Sequence, residues 1–320
     1  MCNKNVIFFL AFLLLASCKG SNPGREVPII GFLDFIEDPT IALAKKGFFD
    51  ALSENGFSEK DSTIVVEYAN AQGDIPTLGQ ACDLIISKHP ALIGSNVTLS
   101  TITAVQRNKT IPVFMMVSPR PDIAKLTDAS GKAPANLFGV FETLDYLDTA
   151  VILIKLLSPS TKRVGTIYNQ SEPQSRDAFN RLQAGCENLG MTLEVLPVNN
   201  SSETQLVMQA LLTKNIDAFF ALPDNVIFAS FETVVQSCDA KHIPIFTSEA
   251  GLVARGAVAS FGADFYQWGY QSGQQAALFL KQKNTNGLQP EIVKIRKRVY
   301  NAEQAIKFMI IPDSTFVPYN

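Results

Sequence analysis

Short unbroken apolar runs alternate with amphipathic stretches along most of the chain. The first pair lies in residues 29–57, where the run IIGFLDF is followed by a polar turn, an amphipathic stretch and Gly56. A short continuous apolar run is typical of a strand covered on both faces of a parallel sheet. Asp38 and Pro39 suit the start of a helix, and Gly56 suits its end. The pattern therefore predicts a strand, a turn and a helix.

The same unit recurs in the second half of the chain. From Arg163 the sequence reads RVGTIYN, then the polar turn QSEP, then a helical stretch that ends at Gly190. Gly31 and Gly56 are 25 residues apart, and so are Gly165 and Gly190. Equal spacing of the strand and helix signals indicates an internal repeat.

A second unit of the first half also has a counterpart. Residues 91–116 and residues 217–249 both read as strand, polar turn and helix, followed by an Ile-Pro pair that opens another strand. Two units in the same order indicate two α/β halves in tandem. We therefore predict an α/β fold of two lobes, each built on a parallel sheet, with a ligand cleft between them.

The chain is expected to cross between these lobes more than once. We assign residues 28–140 and about 264–286 to the N-terminal lobe. Residues 141–263 and about 287–320 form the C-terminal lobe. Residues 266–281 read as a helix with small residues on one side, which makes this helix a candidate crossing between the halves.

The first residues read as a targeting segment. Residues 1–17 contain one basic residue, a short apolar run and small residues before Cys18, which fits a lipoprotein signal peptide. Residues 18–27 are polar and rich in Gly, Pro and Ser, so we predict a flexible tether. We expect an exported protein, anchored to the cell membrane by a palmitate-type acyl chain on Cys18 and facing the periplasm or cell exterior. An ordinary signal peptide that is cleaved elsewhere is the alternative.

The charge balance and the cysteines narrow the classes of partner. The chain has 27 basic and 30 acidic residues, a net charge of −3, which gives no reason to expect a nucleic-acid partner. Cys82, Cys186 and Cys238 each lie in a predicted helix without metal-ligand spacing. We expect buried free thiols and no metal site, with a Cys186–Cys238 disulfide as the alternative.

The sequence gives little support for an enzyme. His89 and His242 both lie just before a strand, at the end opposite the predicted cleft. The sequence contains no P-loop, no G-x-S-x-G elbow and no G-x-G-x-x-G after a strand. We therefore expect binding without catalysis and without a cofactor.

Polar and aromatic side chains follow the predicted strands at the ends that face the cleft. Ligands of open parallel sheets bind beyond the carboxyl ends of the strands. The candidate ligand-binding residues are Phe35, Glu37, Ser95, Asn96, Thr98, Ser118, Tyr168, Asn169, Glu172, Ser175, Asp224, Asn225 and Glu249. Several have a structural alternative, because Asp224, Glu172, Asn96 and Thr98 could each cap or begin a helix.

This set of side chains favours a zwitterion. Arg120 is its only obvious base, so a phosphate or a multiply charged anion would lack countercharge from side chains. Helix N-termini can hold one carboxylate, and the acidic residues can hold an ammonium group. Phe35, Tyr168 and Phe228 could supply an apolar or cation–π wall, although the helical position of Phe228 also suits the core. We expect Trp268 to pack at the crossing helix rather than to stack on a ligand.

Several motifs resemble those of one family, the tryptophan/tyrosine-type substrate-binding proteins of bacterial ABC transporters. They are NAQGD at 70–74, YNxxExxS at 168–175, PDN at 223–225, RGA at 255–257 and GxDFYxxG at 262–269. The resemblance implies the type I periplasmic-binding-protein architecture, in which two Rossmann-like lobes close around the ligand. It also implies binding roles for Glu172, Ser175, Asp224 and Asn225, and for the turn at residues 95–98.

The resemblance implies a function as well. Such proteins are exported and often lipid-anchored; they capture a small ligand, commonly an aromatic amino acid, by hinge closure, and pass it to a permease driven by an ATPase. Two turns depart from the family pattern, with Asp38-Pro39 where His-Pro is usual and Ser118-Pro119 where Asp-Pro is common. Arg120 could therefore meet a ligand carboxylate. The alternatives are a ligand-sensing module for a signalling partner and an exported hydrolase, and we expect a monomer.

Overall fold

Two sheets surrounded by helices organise residues 27–319, the part of the chain that the computed structural model describes. The strands are β1 (Ile29–Asp34), β2 (Val65–Asn70), β3 (Leu92–Asn96), β4 (Val113–Met116), β5 (Leu137–Phe141), β6 (Arg163–Tyr168), β7 (Thr192–Pro197), β8 (Ala218–Ala221), β9 (Ile245–Thr247), β10 (Ala259–Ala263), β11 (Glu291–Ile292), β12 (Arg296–Tyr300) and β13 (Val317–Pro318).

Helices connect most of these strands. They are α1 (Pro39–Glu54), α2 (Ile75–Ser87), α3 (Thr98–Arg107), α4 (Tyr146–Leu157), α5 (Pro173–Asn188), α6 (Thr204–Leu212), α7 (Asn225–Ala229), α8 (Phe231–Asp239), α9 (Ala250–Ala254), α10 (Phe265–Gln282) and α11 (Ala302–Lys307). A short 3₁₀ helix, Ser201–Glu203, precedes α6. Within residues 27–319, none of the helices is long and apolar enough to cross a membrane.

The two sheets have related topologies. The first has six strands in the order β11-β5-β4-β3-β1-β2, and the second has seven in the order β13-β12-β10-β9-β8-β6-β7. All pairs of neighbouring strands are parallel except β10 and β12. The predicted α/β fold of two parallel-sheet lobes is confirmed, and the carboxyl ends of the strands carry the turns that precede the helices.

The repeated strand–turn–helix unit has the local chemistry that its sequence predicts. The Asp38 carboxylate accepts hydrogen bonds from the backbone N–H groups of Thr40 and Ile41, at 2.8 and 3.0 Å, and so caps α1. Gly56 and Gly190 follow the ends of α1 and α5 with φ values of 88° and 66°, in the left-handed region that glycine tolerates best.

Helix α10 carries the chain from the second lobe back to the first. It follows β10 of the second sheet, yet its Ser272 hydroxyl donates to the Met115 carbonyl of β4 at 2.9 Å. The Gln275 side chain accepts from the Gly139 N–H of β5 at 2.9 Å. Strand β11 then pairs with β5 of the first sheet. The final crossing between the lobes therefore lies after Ile292, whereas the sequence had placed it near residue 287. A two-residue strand is too short to be recognised by its pattern.

A buried ion pair joins two of the crossing segments. Glu142 follows β5, is fully buried, and accepts from both the Nη2 and the Nε of Arg296 in β12, at 2.6 and 2.9 Å. The bidentate geometry fixes the guanidinium plane, which makes this pair more specific than a single contact. It connects the lobes on the side of the molecule where the chain crosses.

The cysteines of the described chain are free and buried. Cys82, Cys186 and Cys238 lie in α2, α5 and α8, and the alternative disulfide between Cys186 and Cys238 is not formed. Burial raises the pKa of the Cys82 thiol to about 11 and that of Cys186 to about 12. These thiols are therefore protonated and unreactive at neutral pH.

The close packing of α10 on α1 gives a stability prediction. A Cβ added at Gly269 would clash with the backbone carbonyl of Ala44, whereas a Cβ at Gly185 would meet the Val151 side chain at 3.0 Å. Gly269→Ala should destabilise the protein by about 1–3 kcal/mol or more, because two helix backbones must separate. Gly185→Ala, also within a helix, should change stability by no more than about 1 kcal/mol. Urea denaturation of both variants measures the difference, and equal stabilities would contradict the close approach.

Candidate functional site

A small cavity lies between the lobes at the carboxyl ends of the strands. Its volume is about 30 Å³, roughly the space of two water molecules, so a ligand of amino-acid size requires the lobes or the lining side chains to move. Both lobes and α10 contribute its lining residues, which are Val97, Val117, Ser118, Pro119, Leu144, Tyr146, Gln174, Pro223, Asn225, Phe228, Glu249, Phe265 and Trp268.

Aromatic side chains form one wall of the cavity. Phe228 meets Phe265 edge-on at 5.9 Å between ring centroids, and Phe265 meets Trp268 edge-on at 5.8 Å. The Trp268 Nε1–H donates to the Val140 carbonyl at 2.8 Å, which fixes the orientation of the indole. Trp268 packs at the crossing helix, as the sequence predicted, and it also lines the cavity. Phe228 lines the cavity as well.

Glu249 lines the cavity and has one oxygen without a hydrogen-bond partner among the described residues. Its Oε1 accepts from the Tyr146 and Ser248 hydroxyls, each at 2.8 Å, while its buried Oε2 has no hydrogen-bond partner among the described residues. Burial raises the pKa of Glu249 to about 7, even though both hydroxyls favour the ionised form. The nearby Glu142 carboxylate acts in the same direction as burial.

Two more buried carboxylates, those of Glu172 and Asp224, lie next to the cavity lining. The Glu172 Oε2 accepts from the Asn225 amide at 2.9 Å and from the Gln174 amide. Burial, then the charge of Asp224, raises the pKa of Glu172, and burial also raises the pKa of Asp224. Within residues 27–319, no lysine or arginine forms an ion pair with Glu172, Asp224 or Glu249. The site is therefore acidic and lacks a cation of its own.

Asp224 has a structural role in this arrangement. Its carboxylate accepts from the backbone N–H groups of Asn169, Val226 and Ile227, at 2.7, 2.8 and 3.2 Å. These bonds cap α7 and tie it to the turn after β6. Both carboxylate oxygens of Asp224 thus accept hydrogen bonds. In this structure Asp224 caps a helix, which is the structural alternative that the sequence analysis gave for it.

The first lobe contributes the N-terminus of α3. The residue before this helix is Val97, which lines the cavity, and no side chain caps the helix. The hydroxyl of Ser100, in the first turn, is buried without a partner among the described residues. Free N–H groups and the positive end of the helix dipole favour a carboxylate at this position.

Three residues that line the cavity have a strained backbone conformation. The lining residues Val97, Val117 and Leu144 have φ values of 67°, 49° and 63°. The left-handed region is unfavourable for bulky and especially for β-branched side chains, and such strain persists where the surrounding structure imposes it. Because none of these positions is a glycine, the sequence contains no signal for the strain.

The structure divides the predicted site residues into three groups. Those that line the cavity are Ser118, Asn225 and Glu249. Those that are buried behind it in the turns and helix starts are Thr98, Asn169, Glu172, Ser175 and Asp224. Those that lie away from it are Phe35, Glu37, Ser95, Asn96 and Tyr168.

The third group has other contacts. Tyr168 stacks on Phe179 at 4.5 Å within the second lobe, and Glu37 is exposed. Asn96 donates to the Asp34 carboxylate at 2.8 Å, inside the first lobe. Arg120 is also outside the cavity, because it pairs with Asp122 at the surface. The expectation that Arg120 meets a ligand carboxylate is therefore not supported by its position.

Sequence reasoning missed Gln174, Tyr146, Phe265 and several apolar lining residues. Phe265 could have been found, because it begins α10 just after the carboxyl end of β10. Gln174 could have been found as well, since it is in the first turn of α5. Tyr146 could not, because it belongs to a crossing segment whose position depends on the packing of both lobes.

Two α/β lobes that enclose a polar and aromatic cavity define a two-lobed solute-binding protein. A family model described as ABC transporter substrate binding protein matches residues 29–317, and the chain belongs to this family. The resemblance predicted from the sequence motifs is thereby confirmed. The family is one of solute-binding proteins rather than enzymes.

Individual relatives agree with this assignment. The chain is 32% identical over 261 residues to a tyrosine-binding protein of Clostridioides difficile (strain R20291), which covers 81% of this chain and 74% of that protein. The ABC domain of Streptococcus pneumoniae in complex with L-Trp is 27% identical, with a TM-score of 0.82 over 90% of this chain and 97% of that one.

A further solved structure gives information on the lobe arrangement. It is the ligand-free, open structure of a Clostridium difficile substrate binding protein with adhesive properties, 25% identical, which covers 92% of this chain and 100% of that one. Its TM-score is 0.66, against 0.82 for the L-Trp complex. The chain as a whole thus superposes more closely on the L-Trp complex than on the open structure.

The raised pKa of Glu249 predicts how stability depends on pH. The folded state holds the proton up to about pH 7, while the ordinary pKa is 4.5. The contribution to the free energy of unfolding is therefore complete below pH 4.5 and is lost as pH rises to 7, by an amount on the order of 3 kcal/mol. Glu249→Gln, which stays neutral, should lose less stability than wild type between pH 5 and pH 8.

Urea denaturation of both proteins at the two pH values measures this difference. Glu172 and Asp224 also have raised pKa values, but both are present in both proteins, so their effects cancel in the comparison. Parallel pH profiles for the two proteins would contradict a protonated Glu249.

Proposed function

We propose that this protein captures an amino acid with an aromatic side chain by closing its two lobes around it. The observation that carries the proposal is Glu249, which lines an aromatic-walled cavity and whose buried Oε2 has no hydrogen-bond partner among the described residues. A buried carboxylate is costly unless it is paired, and a ligand ammonium group supplies the missing charge.

The cavity has a place for each part of such a ligand. The Glu249 Oε2 and the Gln174 Oε1, both buried and without partners among residues 27–319, accept hydrogen bonds from the ammonium group. The uncapped start of α3, with Ser118 nearby, accommodates the carboxylate. The rings of Phe228 and Trp268 contact the side chain, where aromatic pairs add stabilisation beyond their buried area.

The relatives support an aromatic ligand. One is a tyrosine-binding protein, and another was solved in complex with L-Trp. The two turns that depart from the family pattern lie at the first lobe, and one of them, Asp38-Pro39, does not line the cavity. The aromatic wall comes from the second lobe and from α10, which these departures leave unaltered.

Capture serves transport in this proposal. The cavity of about 30 Å³ admits such a ligand only after the lobes open, and hinge closure is a known way of coupling binding to a change in shape. An ABC permease and its ATPase recognise the closed form and receive the ligand. The protein acts as a monomer, since one chain supplies both walls of the cavity.

The site gives a direct binding prediction. L-Tryptophan and L-tyrosine should raise the melting temperature, and Glu249→Gln should weaken their binding about tenfold or more, because a charge-assisted hydrogen bond is lost. Glu37→Gln, at an exposed position outside the cavity, is the matched control and should bind like wild type. Isothermal titration calorimetry measures all three proteins, and equal affinities for Glu249→Gln and wild type would exclude Glu249 from the site.

Export and anchoring complete the proposal. Cys18 and the predicted signal peptide lie outside the described residues, so the support is the sequence pattern before the cysteine. Acylated Cys18 holds the receptor at the membrane, near its permease. Cys18→Ser should move the protein from the membrane fraction to the soluble fraction of the cell envelope. Immunoblots of the separated fractions test this, and a Cys18→Ser protein that stays with the membrane would contradict the anchor.

A further inference from the structure

An ion pair bridges the two lobes at the rim of the cleft. Arg255 follows α9 in the second lobe, and its Nη1 donates to the Asp38 Oδ2 of the first lobe at 2.6 Å. The two side chains are only 13% and 1% exposed. The same Nη1 lies 3.3 Å from the Thr40 hydroxyl, which gives it a second contact with the first lobe. Neither Asp38 nor Arg255 lines the cavity.

Arg255 is held firmly within its own lobe. Its Nε and Nη2 donate to the Glu232 carboxylate at 2.9 and 3.0 Å, and its guanidinium lies 5.3 Å from the centroid of the Phe231 ring. Its Nη2 also donates to the Phe228 carbonyl at 3.0 Å. The guanidinium is therefore preorganised before it contacts Asp38. Closing the lobes then costs little additional side-chain entropy at Arg255.

The backbone of α9 also lies close to the Thr40 side chain of the first lobe, beside this pair. A Cβ added at Gly251 in α9 would clash with the Thr40 side chain in α1. The contact therefore forms only when the lobes are closed to this degree. An opening motion that separates α9 from α1 breaks the Asp38–Arg255 pair at the same time.

We propose that Asp38 and Arg255 form an inter-lobe latch that stabilises the closed receptor and sets how slowly it releases its ligand. This inference rests on the proposed capture by hinge closure. Both are positioning residues, because they act through the lobe arrangement. The Arg255 bond to the Phe228 carbonyl also connects the latch to a residue whose ring lines the cavity.

The energetics suit a reversible latch. In the closed form the pair is almost dry, so its attraction is strong, but both charges regain water when the lobes open. Burial raises the pKa of Asp38 although the Arg255 guanidinium lies beside it, which shows that desolvation offsets much of the attraction. A latch of this kind favours the closed form but still allows opening. A contact shifts the equilibrium between open and closed lobes only by the difference between its free energies in the two forms.

The structure offers a clean way to remove the latch. The Asp38 Oδ1 caps α1, while Oδ2 meets Arg255, so Asp38→Asn keeps the capping oxygen and removes the charge. Arg255→Gln removes the opposite partner from the other lobe. Glu232→Gln is the matched control, because it removes the charge of the ion pair that Arg255 forms within its own lobe, while an amide oxygen, the Phe228 carbonyl and the Phe231 ring still hold the guanidinium.

The first measurement is the dissociation rate of L-tryptophan and L-tyrosine by stopped-flow displacement. Asp38→Asn and Arg255→Gln should each release the ligand about tenfold faster or more, with Glu232→Gln within about twofold of wild type. The proposal is overturned if both latch variants release the ligand at the wild-type rate, or if Glu232→Gln accelerates release as much as they do. Circular dichroism confirms folding, and if one latch variant is misfolded, the other decides.

The second measurement separates the latch from the proposed ligand. Small-angle X-ray scattering of the ligand-free proteins reports lobe opening directly, and both latch variants should have a larger radius of gyration than wild type and Glu232→Gln. If wild type binds neither amino acid, the proposed function fails, while the scattering result still supports or overturns the latch. Unchanged scattering in both latch variants would then overturn it.

Discussion

The burial of carboxylates without a basic partner is the constraint on which the cleft depends. Glu172, Asp224 and Glu249 are each almost fully enclosed, and each is held by hydrogen bonds from neutral groups. Such groups are expensive to bury, and apolar residues of similar size would often give a more stable protein. Their presence at the junction of two lobes agrees with the proposal that a ligand ammonium group supplies the missing charge.

The same constraint accounts for the surroundings of these residues. Asp224 takes three backbone hydrogen bonds and so fixes the turn that carries Asn225. Glu249 is supported by Tyr146, which comes from the segment that crosses between the lobes. The acidic groups are thereby connected both to the rigid sheet and to the hinge. Val97 and Val117, whose backbone is strained, lie on the facing lobe.

Much of the fold could be predicted from the sequence because its signals are local. Unbroken apolar runs, the Asp-Pro start of α1 and the paired glycines gave the strands, the helices and the repeat. Asn225 and Glu249 could be predicted as cavity residues because they lie in the turns just beyond the carboxyl ends of β8 and β9. Tyr168 also lies at the carboxyl end of a strand, β6, but its ring stacks on Phe179. The orientation of this ring depends on side-chain packing, which the sequence pattern does not contain.

Other features depend on contacts between residues that are distant in sequence. Trp268 lines the cavity because α10 returns to the first lobe at a particular depth, and the indole is held there by Val140. The pairing of Arg255 with Asp38 likewise depends on the angle between the lobes. No periodicity or motif contains that angle, so neither contact could be predicted from the sequence.

The late return of the chain to the first sheet has a consequence for biosynthesis. Strand β11 adds to the edge of a sheet whose other strands end with β5, and α10 covers the same sheet. The first lobe is thus incomplete until residue 292 has left the ribosome, near the end of a chain of 320 residues. The first lobe therefore completes its sheet only after most strands of the second lobe have been synthesised, so the two lobes cannot fold strictly in chain order.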